Sequence, residues 1–202
     1  MVLHSTPLYI ASLNGHIEIV KFLIASGGEV NQANNNGSTP LHIASEEGHI
    51  EIVKFLTSSG GEVNQTDEYG CTPLEAASCG GHLDIVEFLV ASVALVNEAD
   101  KGGCTPLHIA CENDHFEVVQ SLTLLIIAED GIIDKADNLG NTPLGAAVKK
   151  GNLEIVEELV ESGASVNSEL NAEGGTIVSQ LYVAVYNGHT EVMKYLILYS
   201  NT

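Results

Sequence analysis

Hydrophobic residues along this chain come in short paired blocks separated by polar, glycine-containing stretches. Leu8, Leu41, Leu74, Leu107, Leu144 and Leu181 each open one block, and Ala11, Ala44, Ala77, Ala110, Ala147 and Ala184 follow three residues later. That spacing lays a narrow apolar stripe on one helix face, and alanine lets a second helix approach closely. A second block follows each first one. It reads Ile19, Val20 and Leu23, then Ile52, Val53 and Leu56, then Ile85, Val86 and Leu89. Gly15, Gly48, Gly81, Gly151 and Gly188 stand between the blocks, where a positive φ ends a helix. An acid sits in the first turn of every second block (Glu18, Glu51, Asp84, Glu117, Glu154 and Glu191), where the helix dipole favours it. Each unit therefore predicts a helix, a tight turn, a second helix and a finger loop.

The units are copies. Gly37-Ser38-Thr39-Pro40-Leu41-His42-Ile43-Ala44 returns as Gly70-Cys71-Thr72-Pro73-Leu74-Glu75-Ala76-Ala77, as Gly103-Cys104-Thr105-Pro106-Leu107-His108-Ile109-Ala110, and as Gly140-Asn141-Thr142-Pro143-Leu144-Gly145-Ala146-Ala147. Thr6-Pro7-Leu8-Tyr9 and Ser179-Gln180-Leu181-Tyr182 are worn copies. The capping residues at 6, 39, 72 and 105 are 33 apart, and the steps to 142 and 179 are 37 each. Threonine caps a helix by accepting a backbone N–H, and proline at the first helical position wastes no donor.

Period and motif together resemble the ankyrin repeat. The resemblance covers nearly all 202 residues and implies an all-α solenoid of stacked helix-turn-helix units with finger loops. It is expected as one domain over 1–202, with repeats at about 1–33, 34–66, 67–99, 100–136, 137–173 and 174–202. Neighbouring units in such an array bury one continuous core.

Charge narrows the partners. The chain has 27 acidic and 7 basic residues, a formal net charge of −20. Such a field opposes nucleic acid and anionic membranes, and favours a basic partner through its encounter rate. The N-terminus runs straight into the first repeat without a secretory pattern, and the apolar run at 122–128 is too short for a bilayer. An intracellular setting, cytoplasmic or nuclear, is the expectation.

Departures from the repeat carry their own expectations. Val93-Ala94 replaces the pair Gly27-Gly28 or Gly60-Gly61, so the second helix there should run on or end in a tighter turn. Asp114 stands at a turn glycine, a mild change. Four apolar residues, Leu124–Ile127, add about one turn to a helix, and the added tip is expected to pack on the next repeat. Residues 167–175 read as a longer, mobile loop. Leu198 and Tyr199 leave the last helix incompletely covered.

No catalytic, metal or cofactor site assembles from these residues, so the chain reads as a non-enzyme. The resemblance implies that His42 and His108 hydrogen-bond across the helix start and toward neighbouring loops, a structural role. His108, Cys111 and His115 share a helical spacing, but Cys111 holds a small-residue core position and the helix ends near Asp114. Cys71 and Cys104 hold equivalent finger positions. Stacked helices about 8–10 Å apart exceed the Cα limit of about 7 Å for a disulfide, so reduced thiols are expected. Asn31, Asn64, Asn97 and Asn167 lie eight residues after a leucine, a pattern resembling asparagine-hydroxylation sites in some ankyrin proteins. A turn-stabilising role is the simpler account.

The family resemblance implies a partner protein or peptide, bound through the concave finger and inner-helix groove. The finger positions are Asn35, Asn36, Ser38, Glu68, Tyr69, Cys71, Lys101, Cys104, Asn138 and Leu139. The helix-end positions include Glu46, Glu47, Glu112, Asn113, Lys149 and Lys150. Glutamates around Tyr69 point to a basic segment with an apolar anchor in repeats 2 to 4. The alternative is an architectural spacer within a larger protein. A monomer is expected, with weak self-association through the last helix.

Overall fold

The computed structural model describes residues 5–129, 131–172 and 176–200. Val2 and Leu3, one of two candidates to cover the first repeat's outer flank (the other being a preceding repeat), lie outside them. Two compact units divide the chain, residues 1–101 and 102–202.

The first unit holds three helix pairs. These are α1 (Pro7–Leu13) with α2 (Ile17–Ala25), α3 (Pro40–Glu46) with α4 (Ile50–Ser58), and α5 (Pro73–Gly80) with α6 (Leu83–Ala91). The second unit holds α7 (Pro106–Glu112) with α8 (Phe116–Ala128), α9 (Pro143–Lys150) with α10 (Leu153–Glu161), then a short hairpin and α11 (Gln180–Tyr186) with α12 (Thr190–Tyr199).

Each first helix starts as the motif predicts. Thr6, Thr72 and Thr142 accept the amide N–H of Tyr9, Glu75 and Gly145, each with proline at the first position. Such a cap contributes about 1 kcal/mol. The leucines and isoleucines of the paired stripes form the core. Leu41, Ile52, Leu56, Leu74, Ile85 and Leu89 are enclosed in the first unit, and Leu107, Leu122, Ile126, Leu144, Ile155 and Leu159 in the second. Each adds roughly 1.5–3 kcal/mol of burial.

Histidines opening the second helices staple one repeat to the one before. His49 Nε2 donates to Leu13 O at 3.1 Å and His82 Nε2 to Glu46 O at 2.9 Å. In the second unit His189 Nε2 donates to Lys149 O at 3.0 Å. A Cβ on Gly48 would run into the His82 ring, so that turn glycine serves the staple as well as its own positive φ.

Three departures behave differently from the sequence-based expectation. Val93 does not extend α6 or tighten its end; it takes the same left-handed turn as its glycine counterparts, at φ 66°. Within the unit, Asn64 Nδ2 donates to the Val93 carbonyl at 3.0 Å. The inserted turn lengthens α8 to 13 residues, as expected. Its packing is only partial, because Ile126 is buried while Leu124 and Ile127 are 62% and 47% exposed. A single turn points residues to all sides, so one face can pack while the other stays open. Finally, the long finger is not an unstructured loop. It forms an antiparallel hairpin of β1 (Glu169–Ala172) and β2 (Thr176–Ser179), with Leu170 opposite Val178. Asp114 takes φ 61° at its turn, in line with its tolerance of that region.

Candidate functional site

The finger loops are built on one acidic or amide side chain each. Asn34 Oδ1 accepts the N–H of Asn36 at 2.9 Å and of Ser38 at 3.1 Å. Asp67 Oδ1 does the same for Tyr69 and Cys71, at 2.8 and 2.9 Å. In the second unit Asp137 Oδ1 holds Leu139 and Asn141, at 2.8 and 2.7 Å. Successive tips are then tied through the backbone. Glu68 N–H donates to Asn36 O at 2.8 Å, Lys101 N–H to Tyr69 O at 2.9 Å, and within the second unit Asn138 N–H to Gly102 O at 2.8 Å. Gly70 has φ 88°, and a Cβ there would lie 2.8 Å from Lys101 N. This close approach places Asn36, Glu68, Tyr69 and Lys101 in one row. Lys101 Nζ donates to Glu68 O at 2.7 Å, and Tyr69 remains 61% exposed on its rigid turn.

Behind the first unit's fingers lies a concentration of acid. The Tyr9 hydroxyl sits among Ser38, Asn34, Glu46 and Glu47, its pKa pushed up mainly by burial. Burial, then the neighbouring Glu47, raises the Glu46 carboxyl. The Cys71 thiol is raised by burial, with Glu75, Asp67, Cys79 and Glu46 adding to it. Glu75 is the extreme case. Buried on α5 and facing Asp100 and Asp67, its carboxyl is pushed up to about 8, so it is neutral over much of the physiological range. By contrast, acids on the second helices find lysines: Glu18 pairs with Lys21 and Glu51 with Lys54.

At the position of Glu75, the neighbouring repeats carry histidine. Thr39 N–H and hydroxyl both meet His42 Nδ1, at 3.1 and 2.7 Å, so the proton rides on Nε2, which donates to Cys71 O at 3.0 Å. Burial lowers the pKa of this imidazole. His108 repeats the arrangement in the second unit, with Nε2 donating to Asn141 O at 3.1 Å. The family model for ankyrin repeats matches in three copies, over residues 3–67, 59–125 and 120–202. The chain belongs to the ankyrin repeat family. No curated protein matches it. Ankyrin repeats mediate protein–protein interaction and are typically non-enzymatic. Among the described residues no cluster of three or more His, Cys, Asp or Glu is arranged to hold a metal ion, and no helix is long and apolar enough to cross a membrane.

Of the residues the sequence marks for partner contact, the array brings together Ser38, Glu46, Glu47 and Cys71 through Tyr9 and Glu75, and Asn36, Glu68, Tyr69 and Lys101 through the tip ladder. Asn35 is an exposed tip residue. Cys104, Glu112, Asn113, Asn138, Leu139, Lys149 and Lys150 belong to the second unit. There Leu139 is an exposed tip, Lys149 and Lys150 end α9 where the helix dipole suits cations, and Asn113 Nδ2 caps α7 through Ile109 O at 2.9 Å.

Tyr9, Glu75, Asp67 and Asp100 are the members that sequence reasoning left out. For two of them a signal was present: Tyr9 and Glu75 both occupy the histidine position of the motif.

Two of the marked asparagines have a defined structural task. Asn31 Nδ2 donates to Gly60 O and its Oδ1 accepts from Glu62 N–H, both at 3.0 Å. Asn64 bridges Val93 O and Leu95 N–H in the same way, both at 3.0 Å. Each carboxamide clamps the next repeat's turn with its donor and its acceptor together. Asn97 occupies the corresponding position of its own repeat, and Asn167 is exposed.

Proposed function

We propose that the ankyrin array binds a basic peptide segment with one apolar anchor, through the finger and inner-helix face of the first unit. The observation that carries this reading is the pairing of an exposed aromatic with unbalanced acid on a fixed frame. Tyr69 stands out on a turn tied on both sides, next to Glu68 and Asp67. Glu46 and Glu47 close α3 of the same unit, where burial and then the neighbouring Glu47 raise the Glu46 carboxyl. A lysine or arginine side chain would relieve this crowding, and tyrosine is a favoured anchor contact.

A library of lysine- and arginine-bearing peptides, with and without an aromatic or aliphatic residue, tests the proposal against the full chain. Basic peptides with the anchor should bind, with an association rate that falls as salt shortens the screening length below about 10 Å. Tyr69→Ala should weaken binding by roughly 1–3 kcal/mol. Reversing Glu46 and Glu47 to lysine should slow association and leave Tm nearly unchanged.

The opposite face supplies the controls. A shallow depression of about 580 Å³ runs there between Ile17, Lys21, Lys54, Phe55 and Phe88. If Lys21→Ala, Lys54→Ala or Phe55→Ala abolishes binding while the finger-face variants do not, the proposed surface is wrong. If no peptide binds, the architectural-spacer reading takes its place.

A further inference from the structure

We propose that the first and last repeats carry the two halves of a joint that forms between copies of this chain, head to tail. One position is open in the first repeat and covered in later ones. Ile19 is 50% exposed, whereas Ile52, at the same place in the next repeat of that unit, is 1% exposed, and Ile155 and Val192 are fully covered in the second unit. Leu23 is likewise half-covered where Leu56 and Leu159 are enclosed, and Phe22 and Ile10 stand out beside it. This set is the side that, in every repeat with a predecessor in its unit, is covered by that predecessor.

The last repeat shows the complementary half. Val185 is 57% exposed, while Ser12, Ser45, Cys111 and Val148 at the same position are fully buried, each in a repeat with a successor in its unit. Tyr182 and Met193 are opened in the same way relative to His42 and Val156.

Two polar contacts fix the register. The staple running from His49 to Leu13 O, His82 to Glu46 O and His189 to Lys149 O has its next members in His16 of the first repeat and the Tyr186 carbonyl of the last. Tyr182 corresponds to Tyr9, whose hydroxyl reaches Ser38, and Ser5 of a second copy holds the Ser38 position. The two flanks are complementary position by position, so a second copy of this chain fits each of them. Such a heterologous joint does not close on itself and adds copies one after another. It is independent of the peptide-binding face.

Sedimentation of the full chain over a concentration series tests this. The mass should rise from 21.3 kDa in steps of one chain, and more readily at high salt, because two chains of charge −20 repel. Ile19→Glu and Val185→Glu replace exposed residues, so each should melt like the parent and each should be monomeric alone. Mixed in equal amounts they should form a dimer and stop there, since one supplies only the tail and the other only the head. A parent chain that stays monomeric up to its solubility limit overturns the proposal. So does an Ile19→Glu chain that still self-associates while Val185→Glu does not, which would mean that last repeats pair with each other.

Discussion

The two units carry nearly the same charge, with 13 carboxylates against three lysines in residues 1–101 and 14 against four in residues 102–202. They differ in how they depart from the repeat. The first keeps a spacing of 33 and changes single residues, Glu75 for histidine and Val93 for glycine. The second has single changes too, such as Asp114 for glycine, but it also changes length, adding a turn to α8 and a hairpin before α11. What both keep is the joint: the buried leucines, the close alanines and the histidine staples. A joint residue has a neighbour on each side to satisfy, so it tolerates little; a fingertip or an added turn answers to fewer contacts. In the first unit a misfit is therefore held in place by the contacts around it and should show as recoverable stability.

Glu75 is the largest such misfit. Its carboxyl is raised to about 8 by burial and by Asp100 and Asp67, from an ordinary value of 4.5. Between those two values the folded chain holds a proton that the unfolded chain releases, so stability falls as pH rises. The contribution is complete below 4.5 and lost by the time pH passes about 8. Glu75→Gln mimics the neutral acid. It should raise Tm at pH 8 by an amount equivalent to on the order of 2 kcal/mol, with the gain vanishing by pH 4.5. His42 acts in the opposite sense. Its lowered pKa means that acidification below its ordinary 6.5 costs stability, so the parent should be most stable at mildly acidic pH. A Glu75→Gln gain independent of pH would mean that the carboxyl is not the source of the strain.

Much of the fold was legible because one pattern was written six times. Leu41 and Ala44 alone would permit several folds, but their recurrence with Thr39-Pro40 does not. The histidine bridges of His42 and His108 were legible from the motif. The acid around Glu75 was not, because it depends on Asp67 and Asp100, each from a different loop, converging on one side chain. The hairpin was hidden for another reason: its strands are only four residues each, and adjacent Ile177 and Val178 break the alternation in the second.

Val93 offers a smaller test. Gly27 and Gly60 hold the same turn at φ 90° and 98°, and a Cβ at either would meet nothing within 4 Å. The cost of valine there is therefore backbone strain rather than collision, roughly 1–2 kcal/mol. Val93 is also well exposed, so little burial offsets that cost. Val93→Gly keeps the carbonyl that Asn64 Nδ2 clamps. After the extra freedom it gives the unfolded chain, it should gain about 1 kcal/mol, read as a higher urea midpoint. An unchanged or lower midpoint would show that the turn accepts valine without strain.

The smallest effect, and the one that carries the comparison into the second unit, sits at Asp134. It occupies the position of Asn31 and Asn64, the clamp across to the following turn. Half of the clamp works: Asp134 Oδ2 accepts from Ser165 N–H at 2.9 Å, as Asn31 Oδ1 accepts from Glu62 N–H. The other half does not, because a carboxylate has no N–H to give the carbonyl that Asn31 Nδ2 finds in Gly60. Asp134 Oδ1 is buried without a hydrogen-bond partner. Asp134→Asn should restore the donor with no change of shape and gain about 1 kcal/mol, the net worth of one hydrogen bond. The reverse change, Asn31→Asp in the first unit, should lose a similar amount. Measuring both by urea denaturation separates a defect peculiar to this turn from a rule of the clamp. If Asp134→Asn fails to stabilise while Asn31→Asp destabilises, the second unit does not use its clamp as the first does.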